Sequence, residues 1–327
     1  MWKVESFLQQ EIRVLWEPAA AGVRLLRVYG DTPCPVLPGQ VAGQPVTEVG
    51  PYCFSARREP GPGALWPASA GDLHPICGDF VQRVTLPDSV TALHNGAFYN
   101  CRALERLDAG PQLDALGSDL FTNCRRLKTF VLHTSPDAPT GLKKMLAAVS
   151  GDIAAEFCRG DRLLGRIFCP EYQEVLDENT PAHIFNRNIE GIGYRYRQCF
   201  TDGAVNWAEY DEAFAQADAE EPPAGLCRVA LSRLAAPFAL SAAAKARYEA
   251  YLHSHGALAL ELAIARRSRV LAGLLVPLVS PQDRSRGALA CGQAGWSEGA
   301  ALLLAPAARP ARTKKTYDFD DPDDPAD

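Results

Sequence analysis

The sequence predicts an α+β protein: a coiled β-solenoid over residues 1–135, an α-helical domain over 136–305, and a disordered acidic tail over 306–327. Three observations carry this. Residues 84–104 recur, shifted by 23 positions, at 107–127. Helical apolar spacing begins only after the break Ser135-Pro-Asp-Ala-Pro139. From Pro306 on, apolar periodicity stops and aspartate takes over.

The repeat is read position by position. Val84 meets Leu107, Val90 meets Leu113, Leu93 meets Leu116, Phe98 meets Phe121, Asn100-Cys101 meets Asn123-Cys124, and Leu104 meets Leu127. A further unit begins at Phe130. Val46-Thr-Glu-Val49, running to Phe54, aligns with Val90–Phe98 at an offset of 44 and follows Val36-Leu-Pro. Within a unit, Val84 and Leu86 share one strand face, because side chains alternate along a strand. Pro87 ends the strand, Val90 and Leu93 bring the chain back, and Phe98 fills the coil. One coil cannot bury that face alone, so stacked coils share one continuous core. Before the repeats, Val23–Tyr29 reads as a strand.

The run Leu86-Pro-Asp-Ser-Val-Thr-Ala-Leu-His-Asn-Gly-Ala-Phe-Tyr-Asn-Cys-Arg-Ala-Leu104, and more weakly Ala109–Leu127, resembles the BspA-like leucine-rich repeats. The resemblance covers about residues 23–135. His94 and Ala109-Gly-Pro111 depart from the family pattern. It implies a leucine-rich repeat solenoid of a family often displayed at the cell surface.

Residues 55–80 exceed the coil length. Gly61 and Gly63 fall where strand core positions are due, so the stretch reads as an inserted loop rather than a degenerate coil. In the second half, Leu142, Met145, Leu146 and Val149 predict an amphipathic helix over 141–157. A middle block follows at 169–176, 181–189 and 204–218, with Asn206 and Glu209 spaced as a helix cap. Helices are expected at 226–234 and 241–255, with Gly256 as a stop. Short helix–turn–helix pairs are expected after Ala263, the last of them ankyrin-like.

The chain's 47% hydrophobic and 22% charged residues exclude disorder over its whole length. No apolar run approaches the ~20 residues of a membrane span, and the first residues lack a signal-like apolar stretch. Six of the 39 acidic residues lie in the last ten positions, which leaves 33 against 33 basic residues elsewhere. That balance argues against nucleic acid, whose binders need a basic excess. Ten cysteines without C-x-x-C or zinc spacing read as reduced, mostly buried thiols of a cytoplasmic protein. Cys101 and Cys124, one coil apart, form a ladder of such thiols.

No phosphate loop, H-E-x-x-H or G-x-S-x-G occurs. His253 and His255 are two apart and do not share a helix face. No cofactor is expected. The expected function is therefore a non-catalytic scaffold that binds a protein partner without entering a membrane. The alternative is an enzyme with its site around 171–200, where Asp177, Glu178 and His183 lie close in sequence. The expected binding residues alternate with the buried strand positions: Arg83 and Thr85, Arg106 and Asp108, Thr129 and Val131. Trp66, with Arg57 and Arg58, extends that face from the loop. Arg195 and Arg197, interleaved with Tyr194 and Tyr196, form a second candidate.

Overall fold

The computed structural model describes residues 3–7, 10–57, 69–179, 184–217 and 222–305. Arg58, Trp66, His183 and the acidic stretch 306–327 lie outside the described residues.

The chain opens on an antiparallel meander of β1 (Lys3–Phe7), β2 (Gln10–Ala19) and β3 (Gly22–Tyr29). Short strands follow at β4 (Gln40–Val41) and β5 (Gln44–Val49). The coils then supply β6 (Arg83–Thr85), β7 (Ala92–Leu93), β8 (Arg106–Ala109), β9 (Ala115–Leu116) and β10 (Thr129–Leu132). Successive strands alternate between two sheets. One sheet runs β1-β2-β3-β5-β7-β9, with β4 beside β5. The other runs β12-β11-β10-β8-β6, where β11 is Ile153–Arg159 and β12 is Arg162–Cys169. The result is a β-solenoid of about five turns followed by a helical region.

The 23-residue offset is the physical register of the stack. Arg83 pairs with Arg106 and Arg106 with Thr129 in one sheet, and Leu93 pairs with Leu116 in the other. Between the sheets, Phe98 lies against Phe54 at 5.1 Å and against Phe121 at 5.8 Å. The Asn-Cys dipeptide of the repeat also has its reason. Asn100 and Asn123 adopt positive φ (62° and 64°), a conformation Asn tolerates better than most residues, and Asn123 Nδ2 donates to Asn100 Oδ1 at 2.7 Å. The neighbouring thiols each donate to a phenylalanine carbonyl of the preceding coil. Cys101 reaches Phe54 O at 3.1 Å, and Cys124 reaches Phe98 O at 3.0 Å.

The strands that flank residues 55–80 pair with each other. Val36 bridges directly to Thr85, and β5 pairs directly with β7. The described part, 69–80, lies against the first coil: Ile76 N donates to Val28 O, and Gly78 N donates to Phe54 O.

The second half is helical from Trp207 on, but residues 153–205 are mostly strand. Helix α1 (Leu142–Ala147) is one short helix, and the chain re-enters the sheet at β11. β11 runs parallel to β10, so the solenoid continues past residue 135. Two periods compete over 141–157. Leu142, Met145 and Leu146 bury at helical spacing, whereas Ile153, Ala155 and Phe157 bury with period two. Pairing with the open edge of β10 decides the second segment. The first two parts of the middle block are likewise β: β13 (Gln173–Asn179) and β14 (Ile184–Glu190) form a hairpin. Helix α2 (Gly193–Tyr196) and the hairpin β15 (Phe200–Thr201) and β16 (Ala204–Val205) follow.

True helices begin at α3 (Trp207–Ala217), where Asn206 accepts from Glu209 N at 3.1 Å as the capping pattern predicts. They continue as α4 (Pro223–Ala235), α5 (Ala242–Ser254), α6 (Gly256–Ala265), α7 (Arg269–Leu275), α8 (Pro281–Gln293) and α9 (Ser297–Leu304). α5 ends before Gly256, where the sequence places its stop, and Gly256 opens α6. α6–α7 and α8–α9 are helix pairs, with α8 packed on α6 and α9 on α7. Their ankyrin likeness rests on the sequence alone. α4 packs on β12, and one continuous core runs from Ile12 to Leu303.

Candidate binding face

The outer face of the β12-β11-β10-β8-β6 sheet carries the side chains that alternate with the core. In-register pairing sets them in two rows. One is Arg83, Arg106, Thr129, Ala154 and Phe168; the other is Thr85, Asp108, Val131, Glu156 and Arg166. The spacing of the repeat therefore aligns Arg83, Thr85, Arg106, Asp108 and Thr129 on one surface.

Exposure divides them. Arg83 is exposed, and Thr85, Arg106 and Thr129 are half-buried. Asp108 and Val131 face the same way but are buried, so these two do not reach solvent as an alternating strand predicts. The cause at Asp108 is two guanidiniums from stacked strands. Arg106 holds it with Nε at 2.5 Å and Nη2 at 3.1 Å, and Arg83 Nη2 closes over it at 2.5 Å. The hydrogen bond to Asp108 raises the Arg106 pKa against the opposing effect of burial. Charge-assisted pairs of this kind are among the stronger hydrogen bonds.

At its β12 end the face meets a wall made by α4 and the end of α6. There a cavity of about 500 Å³ opens, lined by strand-face residues together with Arg228, Ser232 and Arg266. Glu156 pairs with Arg166, and Asp152 pairs with Arg228. Arg228 also lies 5.8 Å from the Phe168 ring. Sequence reasoning missed this corner because Arg166, Arg228 and Arg266 come from three elements that only the tertiary fold assembles.

The second candidate cluster resolves differently. Arg195 is exposed on α2 and hydrogen-bonds Gln216. Arg197 is buried, which corrects its reading as a binding residue. The segment is helical, so Arg197 turns inward. It donates to the carbonyls of Leu146, Val149, Pro170, Gly193, Ser150 and Gly151 at 2.6–3.3 Å. Its guanidinium also lies over Tyr172 at 4.9 Å. Burial lowers its pKa. These contacts make Arg197 a staple between α1, the turn before β11 and α2. With its donors directed to backbone carbonyls, it has little left to offer a ligand.

Among the described residues no group of three or more His, Cys, Asp or Glu is gathered as a metal would require. No helix there is long and apolar enough to cross a membrane.

The two-sheet stack with an exposed strand face defines a repeat-solenoid protein. Residues 77–138 match the family model described as BspA type leucine rich repeat region (6 copies), so the coils are leucine-rich repeats of the BspA type. Among solved structures, the chain is similar to the T. pallidum leucine rich repeat protein at 23% identity, with TM-score 0.28, covering 36% of this chain and 50% of that one. It is also similar to a leucine rich cell surface protein from Faecalibacterium prausnitzii at 20% identity, with TM-score 0.27, covering 38% of this chain and 29% of that one. The chain thus spans half or less of the length of these two proteins. No curated protein matches the sequence.

Proposed function

We propose that the protein is a non-catalytic scaffold that binds a protein partner on the outer face of the β12-β11-β10-β8-β6 sheet. The observation that carries this reading is the register. Arg83, Thr85, Arg106 and Thr129 come from three successive coils and share one surface beside a concave corner. Repeat solenoids bind through such stacked surfaces, and Arg is enriched at interface hot spots. Ten free cysteines, seven of them buried, support a reducing compartment and hence the cytoplasm.

The test is capture of partners by the full chain, compared with Arg83→Ala and Thr85→Lys. Arg106 is kept in both variants. Removing both arginines strands Asp108, and an uncompensated buried charge destabilises a fold by about 3–5 kcal/mol. A partner held by the wild type and lost by both variants, at unchanged melting temperature, supports the face. Equal capture by all three moves the interface to the helical region.

A further inference from the structure

The corner cavity holds more positive charge than it neutralises. Lys128, Arg166, Arg228 and Arg266 face only two carboxylates, Asp152 and Glu156. Both carboxylates are already used, by Arg228 and Arg166. Lys128 and Arg266 have no ion-pair partner among the described residues. The Nε–H groups of Arg166 and Arg228 are buried there with no acceptor among the described residues. Buried donors of this kind are costly unless something accepts from them. Arg266 lines the cavity beside Arg166 and Arg228. Burial, then the neighbouring Arg228 and Arg166 charges, lower its pKa. The arrangement calls for an anion with acceptor oxygens and about two negative charges.

The same chain carries such a group. Asp318, Asp320, Asp321, Asp323, Asp324 and Asp327 crowd its last ten residues. Their point of attachment is close. Arg267, next to Arg266, donates to Ala294 O at the turn into α9, and Arg269 pairs with Glu298 in the first turn of α9 at 2.9 Å. The eight residues of α9 add about 12 Å at 1.5 Å per residue. The residues between Ala305 and Asp318 can span roughly 40 Å when extended. Reach is therefore not limiting, and a tethered segment is presented at millimolar effective concentration.

We propose that the corner cavity is a carboxylate site and that its occupant is the chain's own aspartate-rich segment, Asp318–Asp327. The inference rests on the strand face being the recognition surface, with the acidic segment as its resident competitor. A partner must then displace that segment. A favoured partner is itself acidic where it meets the corner.

The experiment is zero-length carbodiimide coupling of the full chain, which joins a carboxylate to a lysine amine only when the two touch. Linked peptides are read by mass spectrometry from the monomer. Lys128 joined to the 318–327 aspartates is expected, with yield falling at least fivefold in 0.5 M salt and in Arg266→Glu. Links confined to Lys314 and Lys315, links spread evenly over Lys143, Lys144 and Lys245, or links only between copies overturn the proposal. In a second arm, a synthetic peptide of residues 316–327 is titrated into the wild type and into a full chain with the six aspartates changed to asparagine. At least tenfold tighter binding to the neutralised chain is expected, because its site is open. Equal binding, or none, overturns the proposal. Nucleic acid or inorganic phosphate displacing the peptide at matched ionic strength, at lower concentration than the peptide itself requires, also overturns it. No partner enters either arm, so a negative result removes the acidic segment and leaves the strand-face reading to its own test.

Discussion

Single residues in this molecule are anchored mostly by what the backbone lacks. Arg197 serves six carbonyls of α1, the turn before β11, the turn after β12 and α2; those of Leu146, Ser150 and Gly193 also accept backbone N–H groups, and those of Val149, Gly151 and Pro170 rely on the guanidinium. Arg197→Lys keeps the charge but offers three donors in place of a five-donor fork. An ammonium on a single atom cannot reach Val149 O, Gly151 O and Pro170 O together, and urea denaturation is expected to show a loss of about 1–3 kcal/mol. The thiols act in the opposite sense, because they are stable while uncharged. Burial pushes Cys53, Cys124, Cys169 and Cys199 up to about 12. The unfolded thiol ionises near 8.5. Below that value both states hold the proton and the contribution is complete. Above it the unfolded chain loses protons that the folded chain retains, and stability erodes up to the folded value. Each such thiol contributes a slope of about 1.4 kcal/mol per pH unit in that window. Denaturation midpoints measured from pH 8 to 11 are expected to fall, less steeply in Cys124→Ala. In an alkylation pulse at pH 8, only the half-buried Cys34, Cys77 and Cys158 are expected to react before unfolding. The burial of Cys101 and Cys124 was legible from their repeat position. Arg197 was not, since nothing in Tyr-Arg-Tyr-Arg says which arginine turns inward.

At the scale of elements, the coil is set by close approach as much as by apolar filling. A Cβ on Gly110 would lie 2.4 Å from Asp88 Cα in the coil before it. Gly110→Ala must therefore push two backbones apart, and a melting-temperature drop of several degrees is expected. Phe98 lies between Phe54 and Phe121 with no exposed surface. Phe98→Ala is expected to cost about 3–5 kcal/mol, as read by denaturant titration. The 23-residue period and its core positions were open to reading because every coil restates them. β11 and β12 belong to no repeat, and a helix-like run of apolar residues precedes them. Their strand identity comes from the partner, the edge of β10, which no local window contains.

The whole molecule is a stack extended at both ends. The meander β1-β2-β3 continues one sheet beyond the first coil. At the other end, β12 is the last strand of its sheet, and the hydroxyl of Tyr210 serves both backbone groups of Phe168. It donates to Phe168 O at 2.6 Å and accepts from Phe168 N at 2.9 Å. Behind it, the buried Arg233 grips Asp211 at 2.7 and 2.9 Å, and Tyr248 donates to the same carboxylate at 2.7 Å. α3, α4 and α5 are locked into one lid. Open sheet edges recruit other chains. A fragment ending at residue 206 is therefore expected to elute as aggregates in size-exclusion chromatography, whereas the full chain remains discrete.

Because β3 pairs with the first strand of its sheet's coils and α4 packs on β12, the stretch between them behaves like a ruler whose graduations can be added or removed. Copying residues 83–105 once more after Glu105 would insert a strand into each sheet and lengthen the strand face by about 4.8 Å, with neither contact altered. Duplication of a short stretch of gene thus changes the reach of this surface in discrete, inheritable steps.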